Sequence, residues 1–223
     1  MRSYADLFAL AAARKGGAGA LEGLLPRAES PAALAALGDD RWLATATRCV
    51  FNAGFNWKVI DAKWAGFEAA FAGFDPARWS MMSDEDLDRL LADTRVIRHG
   101  AKLRSVRDNA ILLRDLAREH GSAARALADW PSTDYVGLLD MLRRHGSRLG
   151  GNTGQYFLRF MGKDSFILSR DVVAALIREG VIDKPPSSKA ALAAVQAAFN
   201  SWMAESGRGL TQISRTLALS VGA

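Results

Sequence analysis

Leu149-Gly150-Gly151-Asn152-Thr153-Gly154 is the most glycine-dense turn in the chain, and it lies between two helical patterns. Leu138 to Arg144 reads as the helix before it, and Gln155 to Met161 as the helix after it, stopped at Gly162. Gly150, Gly151 and Gly154 can take the positive φ that a tight reversal needs, and Asn152 tolerates it. These residues alone leave two readings open. One is a hairpin whose backbone N–H groups dock an anion; the other is a plain connection between helices.

Outward from this turn the pattern stays helical. Ala5 to Lys15 carries apolar residues at helical spacing and ends in basic residues and glycine, a helix with its stop signal. Ser30-Pro31 opens a helix, with Ser as cap and Pro in the first turn. Further helices are expected over about Asp40 to Asn52, Trp57 to Phe71, a short one from Asp75-Pro76, and one behind the Ser83-Asp84-Glu85-Asp86 cap. Lys102 to His120 is a long amphipathic segment, with Leu103, Val106, Ala110, Leu113 and Leu116 near one face. Ser169 caps Asp171 to Glu179, Asp183 to Ser188 is a loop, and Lys189 to Glu205 and Leu210 to Leu219 close the chain. No alternating strand pattern and no repeat of fixed period occur, so an all-α protein is expected, not a solenoid.

At 223 residues the chain fits one domain or two intimate lobes. A hydrophobic fraction of 49% against 24% charged residues is enough for a real core. No stretch approaches the roughly 18 uncharged apolar residues of a membrane span. The start Met1-Arg2-Ser3-Tyr4-Ala5-Asp6 has no signal-peptide pattern, so a cytoplasmic protein is expected. Cys49 stands alone, which excludes an internal disulfide, and with His99, His120 and His145 it makes no structural zinc pattern. The formal charge of +5 favours a polyanionic partner only modestly.

Asn52-Ala53-Gly54-Phe55-Asn56-Trp57 resembles the Gln-Ala-Gly-Leu-Ser-Trp segment of the DNA-3-methyladenine glycosylase I family. Phe71-Ala72-Gly73-Phe74-Asp75-Pro76 is similar to its Phe-x-x-Phe-Asp-Pro. Val96-Ile97-Arg98-His99-Gly100-Ala101-Lys102-Leu103, followed by Asn109-Ala110, is similar to its Ile-Ile-Arg-His-x-x-Lys-Ile with Asn-Ala. Each piece is weak alone; the three occur in order at matching spacing. A fainter similarity returns from Gly146 to Gly162.

The resemblance implies a helix-hairpin-helix glycosylase fold over 1–223 as a single domain: two helical lobes with a cleft, and the hairpin near 149–154. It implies base-excision repair, in which a monofunctional enzyme flips an alkylated purine such as 3-methyladenine out of double-stranded DNA and hydrolyses its N-glycosidic bond. On that basis Trp57 and Asn52 belong to the base pocket. Gly150, Gly151, Asn152, Thr153, Gly154 and Arg148 contact DNA. The alternative is a non-catalytic protein of the same fold that binds damaged or distorted duplex. A monomer is expected, with no membrane partner.

Two departures matter. The family's pocket glutamate falls at Cys49, which reads either as a thiol in the pocket or as a small buried hydrophobe. The family's zinc ligands have no counterparts, so no zinc and no other cofactor is expected, although the hairpin leaves room for a monovalent cation. In the wider superfamily a catalytic Asp follows the hairpin by about twenty residues, and Asp171 is in that place. It equally suits the positive end of a helix dipole. Asp164 and Asp61 are lesser candidates. Asn152 to Arg159 contains no lysine, which argues against a Schiff-base lyase step. Arg98, Lys102, Arg104 and Arg107, and around the hairpin Arg143, Arg144, Arg148 and Arg159, are the basic residues available for phosphates.

Overall fold

The computed structural model describes residues 1–221, and among these there is no β-strand. The helices are α1 (Tyr4–Lys15), α2 (Ala18–Glu22), α3 (Pro31–Ala35), α4 (Asp39–Asn52), α5 (Trp57–Ala70), α6 (Pro76–Trp79), α7 (Asp84–Ala92) and α8 (Gly100–His120). They continue as α9 (Ala123–Asp129), α10 (Tyr135–His145), α11 (Asn152–Met161), α12 (Arg170–Arg178), α13 (Lys189–Ser206) and α14 (Leu210–Ser220). The expected all-α class is the observed one. α2 and α9 are short and, unlike the equally short α3 and α6, have no Ser-Pro or Asp-Pro start to mark them in sequence.

The chain divides into two compact units. One comprises Met1–Glu29, Pro131–Gly137 and Gly162–Ala223. In it α14 packs on α1 and α12. The Tyr4 hydroxyl meets Thr216 Oγ1 at 3.0 Å, and Trp202 Nε1 donates to the Arg2 carbonyl at 3.0 Å. Burial pushes the Glu179 carboxyl pKa up. Hydrogen bonds from the Arg2 N–H and from the Arg178 and Arg2 guanidiniums outweigh this, so its net shift is downward. Asp164 accepts from the N–H groups of Leu210 and Thr211 and from Ser132 Oγ, so it caps α14. That use removes it as a candidate carboxylate.

The other unit is Ser30–Trp130 with Leu138–Met161. Its centre is α4, which buries residues all round its circumference, as a central helix does. Trp42 is fully buried and meets the Phe157 ring of α11 edge-on at 5.8 Å. Phe51 packs on Phe67 at 4.8 Å. The Phe71–Pro76 segment is a locked turn. Ala72, Gly73 and Phe74 all have left-handed φ, which is strained for the two non-glycine residues. Trp79 Nε1 donates to the Phe71 carbonyl at 2.6 Å, and Arg41 donates to the Gly73 carbonyl at 2.8 Å. Asp75 then caps α6 through the Ala77 N–H.

α8 braces two connections at once. His99 caps it, Nδ1 accepting from the Lys102 N–H at 3.4 Å. Lys102 is buried and sends Nζ to the carbonyls of Phe51 and Ala53, at 3.2 and 2.5 Å, at the C-terminal end of α4. Lysine there offsets the negative end of the helix dipole. Lys102 is therefore not a residue that tracks phosphates. Two turns on, the buried Asn109 grips Ser147, Nδ2 donating to its carbonyl at 3.1 Å and Oδ1 accepting from its N–H at 2.8 Å. Asn109→Ala strands both backbone groups and is expected to cost about 2–3 kcal/mol in urea unfolding. A loss under about 0.5 kcal/mol shows that the turn holds without this clamp.

Candidate active site

The connection from α4 to α5 decides where Trp57 goes. Gly54 takes φ +80° and the Phe55 N–H returns to the Asn52 carbonyl at 3.2 Å. Asn56 caps α5, its Oδ1 accepting from the Lys58 N–H at 3.0 Å, which makes Trp57 the first helical residue. The indole is 42% exposed, so Trp57 is not a core tryptophan.

Across from it runs α11. The hairpin is shorter than the sequence suggests, because Asn152, Thr153 and Gly154 already form the first turn of the helix. Of the three turn glycines only Gly151 has a left-handed φ, +58°. Arg148 takes the other left-handed position, at +62°, although arginine has no special tolerance for it. Gly154 is buried for a different reason: a Cβ there would lie 2.3 Å from the Leu149 carbonyl. It permits close packing and offers no surface to a phosphate. The first N–H groups of α11 have no partner within the helix, as in every α-helix.

Between these segments lies a cavity of about 220 Å³. Trp57, Tyr156 and Phe160 supply aromatic walls, and Cys49, Asn52, Ala53, Gly54, Asn152 and Thr153 line the rest. The indole stands edge-on to Tyr156 at 5.4 Å and to Phe160 at 5.7 Å. Such a volume is below the roughly 300 Å³ of the smallest drug-sized sites, and it suits one flat heteroaromatic ring system. Thus Trp57, Asn52, Cys49, Asn152 and Thr153, expected separately from the sequence, line one cavity. Tyr156 and Phe160 were not anticipated. Tyr156 lies three residues beyond Thr153 and four beyond Asn152, and Phe160 four beyond Tyr156, and this spacing along one helix face is the signal that points to them.

The cavity carries no carboxylate among its lining residues. Burial pushes the Cys49 thiol up to about 12, with Arg48 pulling weakly the other way, so it stays neutral at physiological pH. It packs as a small apolar group that faces the pocket. Asn52 is buried, and no described group of the chain donates to its Oδ1.

The other charged candidates are placed elsewhere. Asp61 is exposed and paired with Arg48 at 2.5 Å. Arg143 and Arg144 both pair with Asp140. Arg148 is exposed. Asp171 belongs to the first unit, exposed in the first turn of α12 behind its Ser169 cap. Among the described residues no group of three or more His, Cys, Asp or Glu could hold a metal ion. A larger depression of about 430 Å³ includes Asp39, Asp40 and Asp75. There Asp39 receives the Ala123 and Ala124 N–H groups, and Asp75 is the α6 cap, so both are already engaged.

Residues 39–136 match the methyladenine glycosylase family. A 59-residue stretch is 36% identical to DNA-3-methyladenine glycosylase 1 of Escherichia coli (strain K12), covering 26% of this chain and 32% of that protein. The match thus spans about a third of that relative's length. 3-Methyladenine DNA glycosylase I from Staphylococcus aureus superposes with a TM-score of 0.49 at 22% identity, over 56% of this chain and 77% of that one. A further crystal structure of 3-methyladenine DNA glycosylase I gives 0.48 at 24% identity, over 56% and 79%. Over residues 39–136 the chain is thus similar to the methyladenine glycosylase family.

The neutral thiol makes a pH prediction. Between pH 9 and about 12 the unfolded chain has lost the Cys49 proton and the folded one has kept it. The folded state then binds more protons, so stability falls as pH rises through that window. Cys49→Ala removes that part of the alkaline slope in urea midpoints. At pH 8 the native thiol resists a disulfide-exchange reagent and reacts only after unfolding. Rapid labelling of the native protein contradicts a buried neutral thiol.

Proposed function

We propose that the chain is a monofunctional base-excision glycosylase that hydrolyses the N-glycosidic bond of an alkylated purine, such as 3-methyladenine, in double-stranded DNA. The observation that carries this is the half-open aromatic cavity formed by Trp57, Tyr156 and Phe160, with Asn52 at its wall and the start of α11 at its rim. The flipped base enters the cavity and stacks on the rings. The N–H groups at the start of α11, from Gly151 to Thr153, and Arg148 before them hold the backbone phosphates.

Alkylation at a ring nitrogen gives the base a positive charge. The C1′–N bond therefore breaks with both its electrons going to the base, which leaves neutral and needs no proton. Water adds its oxygen to C1′ and releases a proton to solvent. The reaction needs no metal and no lysine adduct. Asp171, the carboxylate expected from its spacing, belongs to the other compact unit and does not line the cavity, so no step is assigned to it. The enzyme is taken to work as a monomer in the cytoplasm, free of membranes; no described helix is long and apolar enough to cross one.

Cys49 favours a second reading, non-catalytic recognition of damaged duplex. A neutral thiol stands where the family places a glutamate, and no carboxylate lines the cavity.

Incubation with methylated duplex, followed by cleavage at abasic sites, tests both. The glycosylase reading expects abasic product, reduced about ten- to a hundredfold in kcat/KM by Trp57→Ala. Tight binding of damaged duplex without abasic product supports the second reading. Absence of salt-dependent DNA binding overturns both.

A further inference from the structure

Asn52 is the one polar side chain of the cavity wall that is both buried and short of a partner. It is 5% exposed, and its Oδ1 accepts no hydrogen bond from any described group. A buried carbonyl left in that state is destabilising, and here, unlike the equally unpartnered Nε1 of the core residue Trp42, it belongs to a side chain that lines a cavity, where a ligand can complete it. The position of the amide is not accidental. Lys102 holds the Phe51 and Ala53 carbonyls on either side of it, and the Asn52 carbonyl takes the Phe55 N–H. The backbone that carries the amide is thus tied at three successive residues.

The cavity accepts one flat ring system, and its lining is uncharged. A side-chain amide offers an acceptor and a donor in one plane. This pair complements the N6/N7 edge of adenine, where the exocyclic N6–H donates and N7 accepts. It does not complement the O6/N7 edge of guanine or hypoxanthine, which presents two acceptors. We infer that Asn52 sets the specificity of this pocket, with Oδ1 accepting from N6–H and Nδ2 donating to N7 of an adenine-type base. The inference rests on the base-pocket reading above and adds to it which edge is read and by what residue. It follows that N7 must be unsubstituted and unprotonated in the bound base. A carboxylate in the same role would instead ask for two donors.

The test is calorimetric titration of the full chain with adenine, 7-deazaadenine and hypoxanthine, in wild type and in Asn52→Leu. Wild type is expected to bind adenine about tenfold or more tightly than either other base. Asn52→Leu is expected to weaken adenine about tenfold and to bind all three alike. A merely structural asparagine does not produce that loss of discrimination. Leucine removes the unsatisfied amide, so its Tm should be no lower than wild type, which separates lost recognition from lost folding. Equal affinity of wild type for adenine and 7-deazaadenine, or unchanged discrimination in Asn52→Leu, overturns the inference and leaves the base pocket standing. If none of the bases binds, and Trp57→Ala does not alter duplex binding, the pocket reading itself fails.

Discussion

One helix holds the candidate site in register. α8 presents Lys102 and Asn109 two turns apart on one face, the first fastened to the end of α4 and the second to Ser147 before the hairpin. The two connections that frame the cavity are irregular and would otherwise be free to move apart. Tying both to a rigid rod fixes the indole of Trp57 relative to the start of α11. Lys102 bears a cost for this. Burial lowers its pKa, and Arg148 lowers it further, so its charge is tolerated because helix-end carbonyls receive it. The matching segments around Arg98–Leu103 and Asn109-Ala110 thus owe their pattern to architecture. Lys102 and Asn109 act behind the pocket, and neither lines it.

The cavity has an unusual balance of forces. Three aromatic side chains supply stacking surface, and two of them, Trp57 and Phe160, remain nearly half exposed at the cost of unburied apolar area. Such exposure in a clustered group is what a ring-binding site requires. The polar contribution is small and neutral. With a neutral thiol at Cys49 and no carboxylate in the lining, the amide of Asn52 is the directional element. Binding by stacking with one planar hydrogen-bonding edge is less sensitive to ionic strength than binding by a charge, because little of it is Coulombic.

Residues chosen for their charge fared differently from those chosen for their place in a motif. Asp164 caps α14, Asp61 pairs with Arg48, and Arg143 and Arg144 share Asp140. A carboxylate in a helical protein has many structural uses, such as caps, dipoles and ion pairs, and sequence spacing does not separate these from catalysis. Trp57, Asn52 and Cys49 came from a run of six matched residues with one residue three positions earlier, and they share a wall because the end of one helix and the start of the next must turn there.

The helical class, the order of the long helices and the caps at Ser30, Ser83, Ser169 and Asp75 were determined by the sequence alone. These are local properties, set by periodicity within a few turns and by side chains that bond to their own neighbours. The short α2 and α9 escaped it because five to seven residues carry too little periodicity, and tertiary packing stabilises them. Only the tertiary structure decided that the hairpin ends at Gly151, that Arg148 takes the left-handed position, and that Lys102 faces inward. It alone brought Tyr156 and Phe160 to Trp57 and left Asn52 Oδ1 without a partner. Those outcomes depend on contacts between residues tens to about a hundred positions apart, and local pattern carries no information about which distant carbonyl or ring will be there to meet them.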